Sequence, residues 1–135
     1  MQQITVDAID ENLSAVNDFI HQTVASFNPS DAVMLKVDLA VEELFVNIAH
    51  YAYAPETGSV TIGCSVTESP ATLCISLTDS GMPYNPLERK DPDITQKLEE
   101  REIGGMGIFL TKQYMDDISY NYTEGKNTIT IQKKL

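Results

Sequence analysis

Apolar residues that recur every three or four positions predict two amphipathic helices in the first half of the chain. From about Asp10 to Phe27 these residues are Leu13, Val16, Ile20, Val24 and Phe27. From about Asp31 to Tyr53 they are Val33, Val37, Val41, Leu44 and Ile48. This spacing gives each helix one buried stripe, because three to four residues make one helical turn. Pro29 ends the first helix and Ser30 caps the second.

Alternation of apolar and polar residues predicts five strands, at 2–7, 60–67, 72–78, 118–123 and 128–133. Ser69-Pro70 joins the second strand to the third and Gly125 turns the last two, so that each pair is expected to form an antiparallel hairpin. Helices and strands do not alternate regularly, which disfavours a doubly wound parallel sheet. We therefore expect an α+β fold, a two-layer α/β sandwich with helices on one face of a mixed, mostly antiparallel sheet.

The segment 82–104 departs from these patterns, with three prolines and few apolar residues. Asp91-Pro92 could begin a short helix that reaches about Ile103, and the segment as a whole is expected to be a mobile flap outside the core. Gly104 to Gly107 then opens a last helix that extends to about Tyr114. Because no repeat or linker divides the chain, residues 1–135 are expected to form a single domain.

Composition narrows the partners. The 42% apolar content of the 135 residues suits an ordinary globular fold, whereas the formal net charge of −11 argues against nucleic acid and anionic membranes as partners. Without a signal peptide or an apolar run that could cross a bilayer, a cytoplasmic protein is predicted. Four of the nine Lys and Arg residues cluster where they could attract phosphate, namely Arg89, Lys90, Lys97 and Arg101. Cys64 and Cys74 are expected to be reduced core thiols.

The second predicted helix carries a carboxylate and an amide on one face. Glu43, Asn47 and His50 lie four and seven positions apart, which brings their side chains to one side of a helix. An Asn oxygen suits a Mg²⁺ ion whose coordination phosphates complete, and a nearby Glu can orient a hydroxyl group and take its proton. The alternative is that Glu43 and Asn47 decorate a solvated face, and that His50 is a structural histidine.

Asp79 stands at the end of the third predicted strand, followed by Ser80 and Gly81. A carboxylate there can accept a hydrogen bond from the exocyclic amine of adenine, and Gly81 permits close backbone approach. Guanine carries a carbonyl at the matching position, so Asp79 would favour adenine. The alternative is that Asp-Ser-Gly is only a turn.

The run Gly104-Gly105-Met106-Gly107 precedes the last predicted helix. Backbone N–H groups of such a run can face a phosphate, and a helix N-terminus adds a favourable dipole. The run is neither a Walker A loop, a Rossmann fingerprint nor part of the protein-kinase signature set. The alternative is a helix cap at Gly104 followed by a hinge.

Taken in order, these motifs resemble those of the GHKL superfamily of ATP-binding domains. Within it, the chain is most similar to small bacterial serine kinases that double as anti-sigma factors, the RsbW and SpoIIAB type. The resemblance covers essentially the whole chain and implies a Bergerat-type ATP-binding fold. It rests on four segments: 43–53, 79–86, 105–108 and 125–131.

The resemblance implies ATP and Mg²⁺ as cofactors and assigns roles to single residues. Glu43 would be the catalytic base and Asn47 the magnesium ligand. Asp79 would read adenine, with Gly81 beside it and Thr128 in support.

Two glycines, Gly105 and Gly107, would border the phosphates under the 82–104 flap. Some relatives place an arginine, aimed at the terminal phosphate, two residues before the Gly-Met-Gly run. Here that position is Ile103, and the nearest arginine is Arg101, which a helical turn could bring in.

Family members phosphorylate a serine on a small anti-anti-sigma antagonist and bind a sigma factor, often as dimers. The resemblance therefore implies protein partners, a homodimer and an ATP-dependent protein serine/threonine kinase of a partner-switching circuit. The alternative is a non-catalytic module that binds ATP and a protein partner, with the nucleotide setting the affinity.

Overall fold

The computed structural model of the protein describes residues 1–88 and 105–135. All of the predicted helices and strands in these ranges are present, with ends that differ from the predictions by a few residues. The strands are β1 (Gln2–Asp7), β2 (Ser59–Thr67), β3 (Thr72–Asp79), β4 (Asp117–Thr123) and β5 (Lys126–Lys134). The helices are α1 (Leu13–Val24), α2 (Asp31–Asn47) and α3 (Gly105–Tyr114). The short helix predicted from Asp91 to Ile103 lies outside the described residues.

The five strands form one sheet in the order β1-β2-β3-β5-β4. Each of the four pairings is antiparallel, so the described sheet has no parallel component where a mixed, mostly antiparallel one was expected. β2 and β3 form the first predicted hairpin. β4 and β5 form the second, which turns at Glu124 and Gly125, both with positive φ. The predicted two-layer α+β fold is confirmed.

The core lies between the sheet and the helices. The register sets Ile62, Leu77 and Ile129 side by side on neighbouring strands, and all three are buried. Most residues of the predicted stripes of α1 and α2 pack onto this face, although Leu13 and Val33 are only partly buried. Phe27, predicted as part of the first stripe, lies beyond the end of α1 and is not one of the core residues. Met34, Ala40 and Phe45 join the α2 stripe. In the described part of the chain, no helix is both long and apolar enough to span a bilayer.

The opposite face of the sheet is polar. Thr5, Thr61, Thr78 and Thr128 occupy one row across four strands, because each pairs with the next in the strand register. Hydroxyl oxygens of Thr5 and Thr61 lie 2.9 Å apart, and those of Thr78 and Thr128 lie 3.1 Å apart. Side chains in this row point away from the core, since successive residues of a strand face opposite sides.

Both cysteines are free thiols, but only Cys64 is the core thiol that was predicted, and the prediction of a core position is wrong for Cys74. Cys64 is buried in the core, and this burial raises the pKa of its thiol to about 11. Cys74 is only partly buried and pairs with Ser65, the neighbour of Cys64 along β2, so that the two thiols face opposite sides of the sheet.

Local features mark the start and the end of α2. Asn28 adopts a left-handed conformation where the first helical segment ends, and the Ser30 side chain accepts a hydrogen bond of 3.1 Å from the backbone N–H of Val33, as a helix cap does. At its other end α2 continues into one π-helical turn, Ile48–Ala52. Such turns are frequent at functional sites, and this one directly follows Asn47.

Candidate active site

A cavity of about 690 Å³ opens between the end of α2 and the inner face of the sheet. Its volume lies in the range typical of small-molecule sites. Asn47 from α2 and Asp79 from β3 both line it, so two of the sequence motifs meet in one cavity. The rest of the lining includes Leu44, Ile48, Tyr51, Met82, Tyr84, Tyr120, Asn127 and Ile129.

Asp79 is the last residue of β3 and is only 6% exposed. Its carboxylate accepts a hydrogen bond of 2.9 Å from the backbone N–H of Gly81 and one of 3.0 Å from the Asn127 amide. Both of these bonds end on Oδ1, which leaves Oδ2 for a ligand in the cavity. A carboxylate that presents one oxygen to a largely apolar cavity is suited to bind an amine hydrogen.

Gly81 and Tyr53 attach the Asp79 loop to the residues that follow α2. A Cβ atom on Gly81 would lie 2.2 Å from the carbonyl oxygen of Ala52, and the neighbouring Met82 N–H donates to that oxygen at 3.0 Å. Tyr53 accepts from the Ser80 N–H through its hydroxyl and donates to the Ser59 carbonyl, both at 2.7 Å. Only glycine fits at position 81, because the backbone of the two segments touches there.

Glu43 and Asn47 share one face of α2, as their spacing predicts. The Asn47 amide nitrogen donates to Glu43 Oε1 over 3.3 Å. This leaves the amide oxygen of Asn47 as a neutral hard donor of the kind that Mg²⁺ binds. His50 does not join this pair, because its imidazole lies 2.9 Å from the Asp10 carboxylate, as a structural histidine would.

The glycine run does open a helix, since α3 begins at Gly105. A Cβ atom on Gly107 would lie 2.1 Å from the carboxyl carbon of Glu43, so that carboxylate packs directly on the α3 backbone. Glu43 and Gly107 also line a second pocket of about 300 Å³ between α2 and α3. The three motifs thus converge on α2, with Glu43 beside Asn47 and Gly107.

Thr128 is not brought to the cavity by its side chain, which belongs to the polar row on the opposite face of the sheet. Its neighbour Asn127 takes the inward position opposite Asp79. The sequence reasoning missed Asn127, although the buried residues Ile129 and Ile131 of the same strand indicate that odd-numbered positions of β5 face the core.

Tyr120 borders the cavity beside Asn127, and its hydroxyl donates a short hydrogen bond to Asn127 Oδ1. Loss of solvent around the ring raises the pKa of Tyr120, and the nearby charge of Asp79 adds to this. The hydroxyl therefore stays protonated and acts as a donor at neutral pH.

Other predicted features have no structural counterpart to describe. Arg101 and Ile103 lie outside the described residues, as does most of the predicted flap. Within residues 1–88 and 105–135, no group of three or more His, Cys, Asp and Glu residues is arranged to hold a metal ion.

Comparison with known proteins gives consistent matches. A family model described as "Histidine kinase-like ATPase domain" matches residues 6–133. The anti-sigma F factor of Clostridium acetobutylicum is 32% identical over 120 residues, which cover 86% of this chain and 82% of that protein. The serine-protein kinase RsbW of Bacillus cereus is 28% identical over 93 residues, 67% of this chain and 58% of that one. The serine/threonine-protein kinase BtrW of Bordetella bronchiseptica is 25% identical over 93 residues, 69% of this chain and 65% of that one.

A solved structure shares the fold. The histidine kinase domain of the Erythrobacter litoralis EL346 blue-light activated histidine kinase superposes with a TM-score of 0.54 and 12% sequence identity. The match covers 93% of this chain and 60% of that one. At this identity the likeness concerns the arrangement of helices and strands alone.

Proposed function

The chain belongs to the histidine kinase-like ATPase domain family, and we propose that it is an ATP-dependent protein serine/threonine kinase of a bacterial partner-switching circuit. Its substrate is a serine or threonine of an anti-anti-sigma-type antagonist, and its second partner is a sigma factor. The names of the relatives support this proposal, because one group is called anti-sigma F factor and another serine-protein kinase.

One observation carries the proposal. Asp79 on the sheet and Asn47 on α2 line the same cavity, and the Glu43 carboxylate lies 3.3 Å from the Asn47 amide. One cavity therefore contains both the proposed adenine-binding residue, Asp79, and the proposed metal-binding residue, Asn47. A nucleotide needs both, because it carries a base and phosphates.

Each residue has a distinct proposed task. Asp79 accepts a hydrogen bond from the exocyclic amine of adenine, with Gly81 holding its loop close. Asn47 supplies an amide oxygen to a Mg²⁺ ion that arrives with the phosphates. Backbone N–H groups at Gly105 and Gly107 face the phosphates from the start of α3. ATP supplies the phosphoryl group that is transferred.

Glu43 is the proposed catalytic base. A carboxylate in this position orients the hydroxyl of the acceptor residue and takes its proton. Positioning and charge stabilisation account for most of the catalysis in phosphoryl transfer, so the placement of Glu43 matters as much as its basicity.

A second candidate function, a non-catalytic switch that binds ATP and a protein partner, has one observation in its favour. Glu43 packs on Gly107 and lines the pocket between α2 and α3, whereas Asn47 and Asp79 line the larger cavity. In that case the nucleotide would alter partner affinity without phosphate transfer.

Calorimetric titration of Mg-ATP into the wild type and into Asp79→Asn tests the site. The affinity of Asp79→Asn for Mg-ATP should be about 10- to 100-fold lower than that of the wild type, which is the ratio that one hydrogen bond to a charged group supplies. Asp117→Asn, an exposed aspartate on β4, is the matched control and should bind like the wild type. Absence of wild-type binding, or equal binding by Asp79→Asn, would contradict the assignment.

Incubation with labelled ATP and purified antagonist proteins then separates the two functions. Label on a serine or threonine of an antagonist supports the kinase. Tight ATP binding without label on any antagonist, combined with a nucleotide-dependent change in partner affinity, supports the switch.

A further inference from the structure

We propose that Asn127 is a positioning residue that fixes the Asp79 carboxylate and thereby sets the selection of adenine over other purines. The inference rests on the proposed nucleotide site and assigns a role within it to Asn127, which lies in the segment 125–131 but received no role from the motif resemblance. Asn127 is 5% exposed and lies opposite Asp79 in the pairing of β5 with β3.

The Asn127 amide is fully used. Its nitrogen donates to Asp79 Oδ1 at 3.0 Å and to the Met82 carbonyl oxygen at 3.0 Å. Its oxygen accepts from the backbone N–H of Tyr84 at 3.1 Å and from the Tyr120 hydroxyl. An amide offers two donor hydrogens and two acceptor lone pairs, so these partners account for all of them.

The partners also determine which way the amide points. Tyr84 contributes a backbone N–H, which can only donate, and Met82 contributes a carbonyl oxygen, which can only accept. The opposite orientation would set donor against donor and acceptor against acceptor. The nitrogen of Asn127 therefore faces Asp79, and this holds without reference to the ligand.

A fixed amide constrains the carboxylate beside it. The final torsion of an aspartate side chain is broad, so an unanchored carboxylate would present either oxygen at a range of angles. Here Asn127 and the Gly81 N–H together hold Oδ1, which limits the directions open to Oδ2 of a residue that lines the cavity. A hydrogen bond to an adenine amine depends on the direction of Oδ2.

The same amide holds one wall of the cavity. Met82 and Tyr84 both line the cavity, and both are bonded to Asn127 through their backbone atoms. Asp79 and this wall are therefore fixed relative to each other by one side chain. Substitution of Asn127 should affect discrimination between bases more than it affects general affinity for triphosphates.

The test compares ATP with purine riboside triphosphate, which lacks the exocyclic amine, in the wild type and in Asn127→Ala. The wild type should prefer ATP by about 10- to 100-fold, as one hydrogen bond to a charged group provides. In Asn127→Ala this ratio should fall to about threefold or less, because the Asp79 carboxylate is no longer held in one orientation. If Asn127 had a purely structural role, the variant would lose affinity for both nucleotides equally. The ratio would then be preserved, and this result would overturn the inference.

Asn127→Leu provides a second test if the alanine variant unfolds. Its side chain is close in volume to that of asparagine but has no donor for Asp79, so its ratio should fall likewise, and a wild-type ratio would overturn the inference. Asn121→Ala, an exposed asparagine of the same hairpin, should keep the wild-type ratio. If the wild type itself binds neither nucleotide, or binds both equally, the proposed adenine site fails and the role of Asn127 fails with it.

Discussion

Asp79 and Glu43 are the two carboxylates to which we assign roles in the candidate site, and the molecule holds them in different ways. Asp79 is 6% exposed and accepts from one backbone N–H and one buried amide, at 2.9 and 3.0 Å. Glu43 is partly exposed on α2, accepts from Asn47 at 3.3 Å and packs on the Gly107 backbone. The proposed adenine-binding carboxylate is thus held by the sheet, whereas the proposed catalytic base depends on the contact between two helices.

Gly81 and Gly107 show the same contrast. A side chain on Gly81 would collide with the backbone oxygen of Ala52, whereas one on Gly107 would collide with the carboxylate of Glu43. A backbone atom in a bonded turn cannot move aside cheaply, but the end of a glutamate side chain can. Substitution of Gly81, beside Asp79, should therefore lower the stability of the protein. Substitution of Gly107, beside Glu43, should instead lower its activity.

The largest effect is expected for Glu43→Ala. Phosphotransfer should fall by about 10²- to 10⁴-fold, the usual contribution of a positioned general base. The affinity for ATP should change little, because in this proposal it depends on Asp79 and not on Glu43. Transfer rates and calorimetric affinities measured side by side check both statements, with the exposed neighbour Glu42→Ala as control. A retained rate would favour the non-catalytic switch.

The second-largest effect is expected for Gly107→Ala, which should lower the rate of phosphotransfer. The new methyl group displaces the Glu43 carboxylate, and a misplacement of about 1 Å can lower a rate by roughly 10²-fold. The free energy of unfolding should hold or rise by up to about 1 kcal/mol, because alanine favours a helix more than glycine does. Transfer assays at saturating ATP and urea unfolding measure the two. A variant that loses stability along with activity would break the contrast.

In contrast to Gly107→Ala, Gly81→Ala should lower the free energy of unfolding. Its methyl group forces the 79–82 loop away from Ala52, at a cost of about 1–3 kcal/mol in the free energy of unfolding, as for other overpacked sites. Urea denaturation measures this cost, and Ser80→Ala, at the exposed adjacent residue, should change it by less than about 0.5 kcal/mol. Unchanged stability would mean that the loop can shift freely.

The smallest effect is expected for Tyr53→Phe. It removes the hydroxyl that bridges Ser59 and Ser80, and since both residues are exposed, water can replace it in part. A loss of about 1 kcal/mol is expected from thermal or urea unfolding. Tyr51→Phe, which alters an exposed hydroxyl of the π-helical turn, is the control. Equal losses in the two variants would leave Tyr53 without a special part in holding the loop.

Most of the fold could be predicted from the sequence, because its signals are local. The stripe from Val37 to Ile48 reports a helix, and the alternation in 72–78 reports a strand, without knowledge of the neighbours. The pairing of Glu43 with Asn47 also follows from helical geometry alone. The meeting of Asn47 and Asp79 in one cavity could be expected from the motif order, although no local pattern contains it.

The network around Asp79 could not be predicted in the same way. It depends on the register that sets Asn127 opposite Asp79, and a shift of one residue would exchange Asn127 with Thr128. The motif likeness led to Thr128, whereas the apolar residues Ile129 and Ile131 mark the inward positions of β5. The close contact of Gly81 with Ala52 likewise joins segments that are far apart in the sequence.

The placement of aromatic rings around the cavity gives the protein an optical signal. The chain contains six tyrosines and no tryptophan, and Tyr51, Tyr84 and Tyr120 line the cavity. Half of the chromophores that fluoresce when excited near 280 nm therefore sit beside the proposed ligand. Energy transfer from tyrosine to tryptophan cannot obscure their emission, so unlabelled protein carries its own reporter of occupancy.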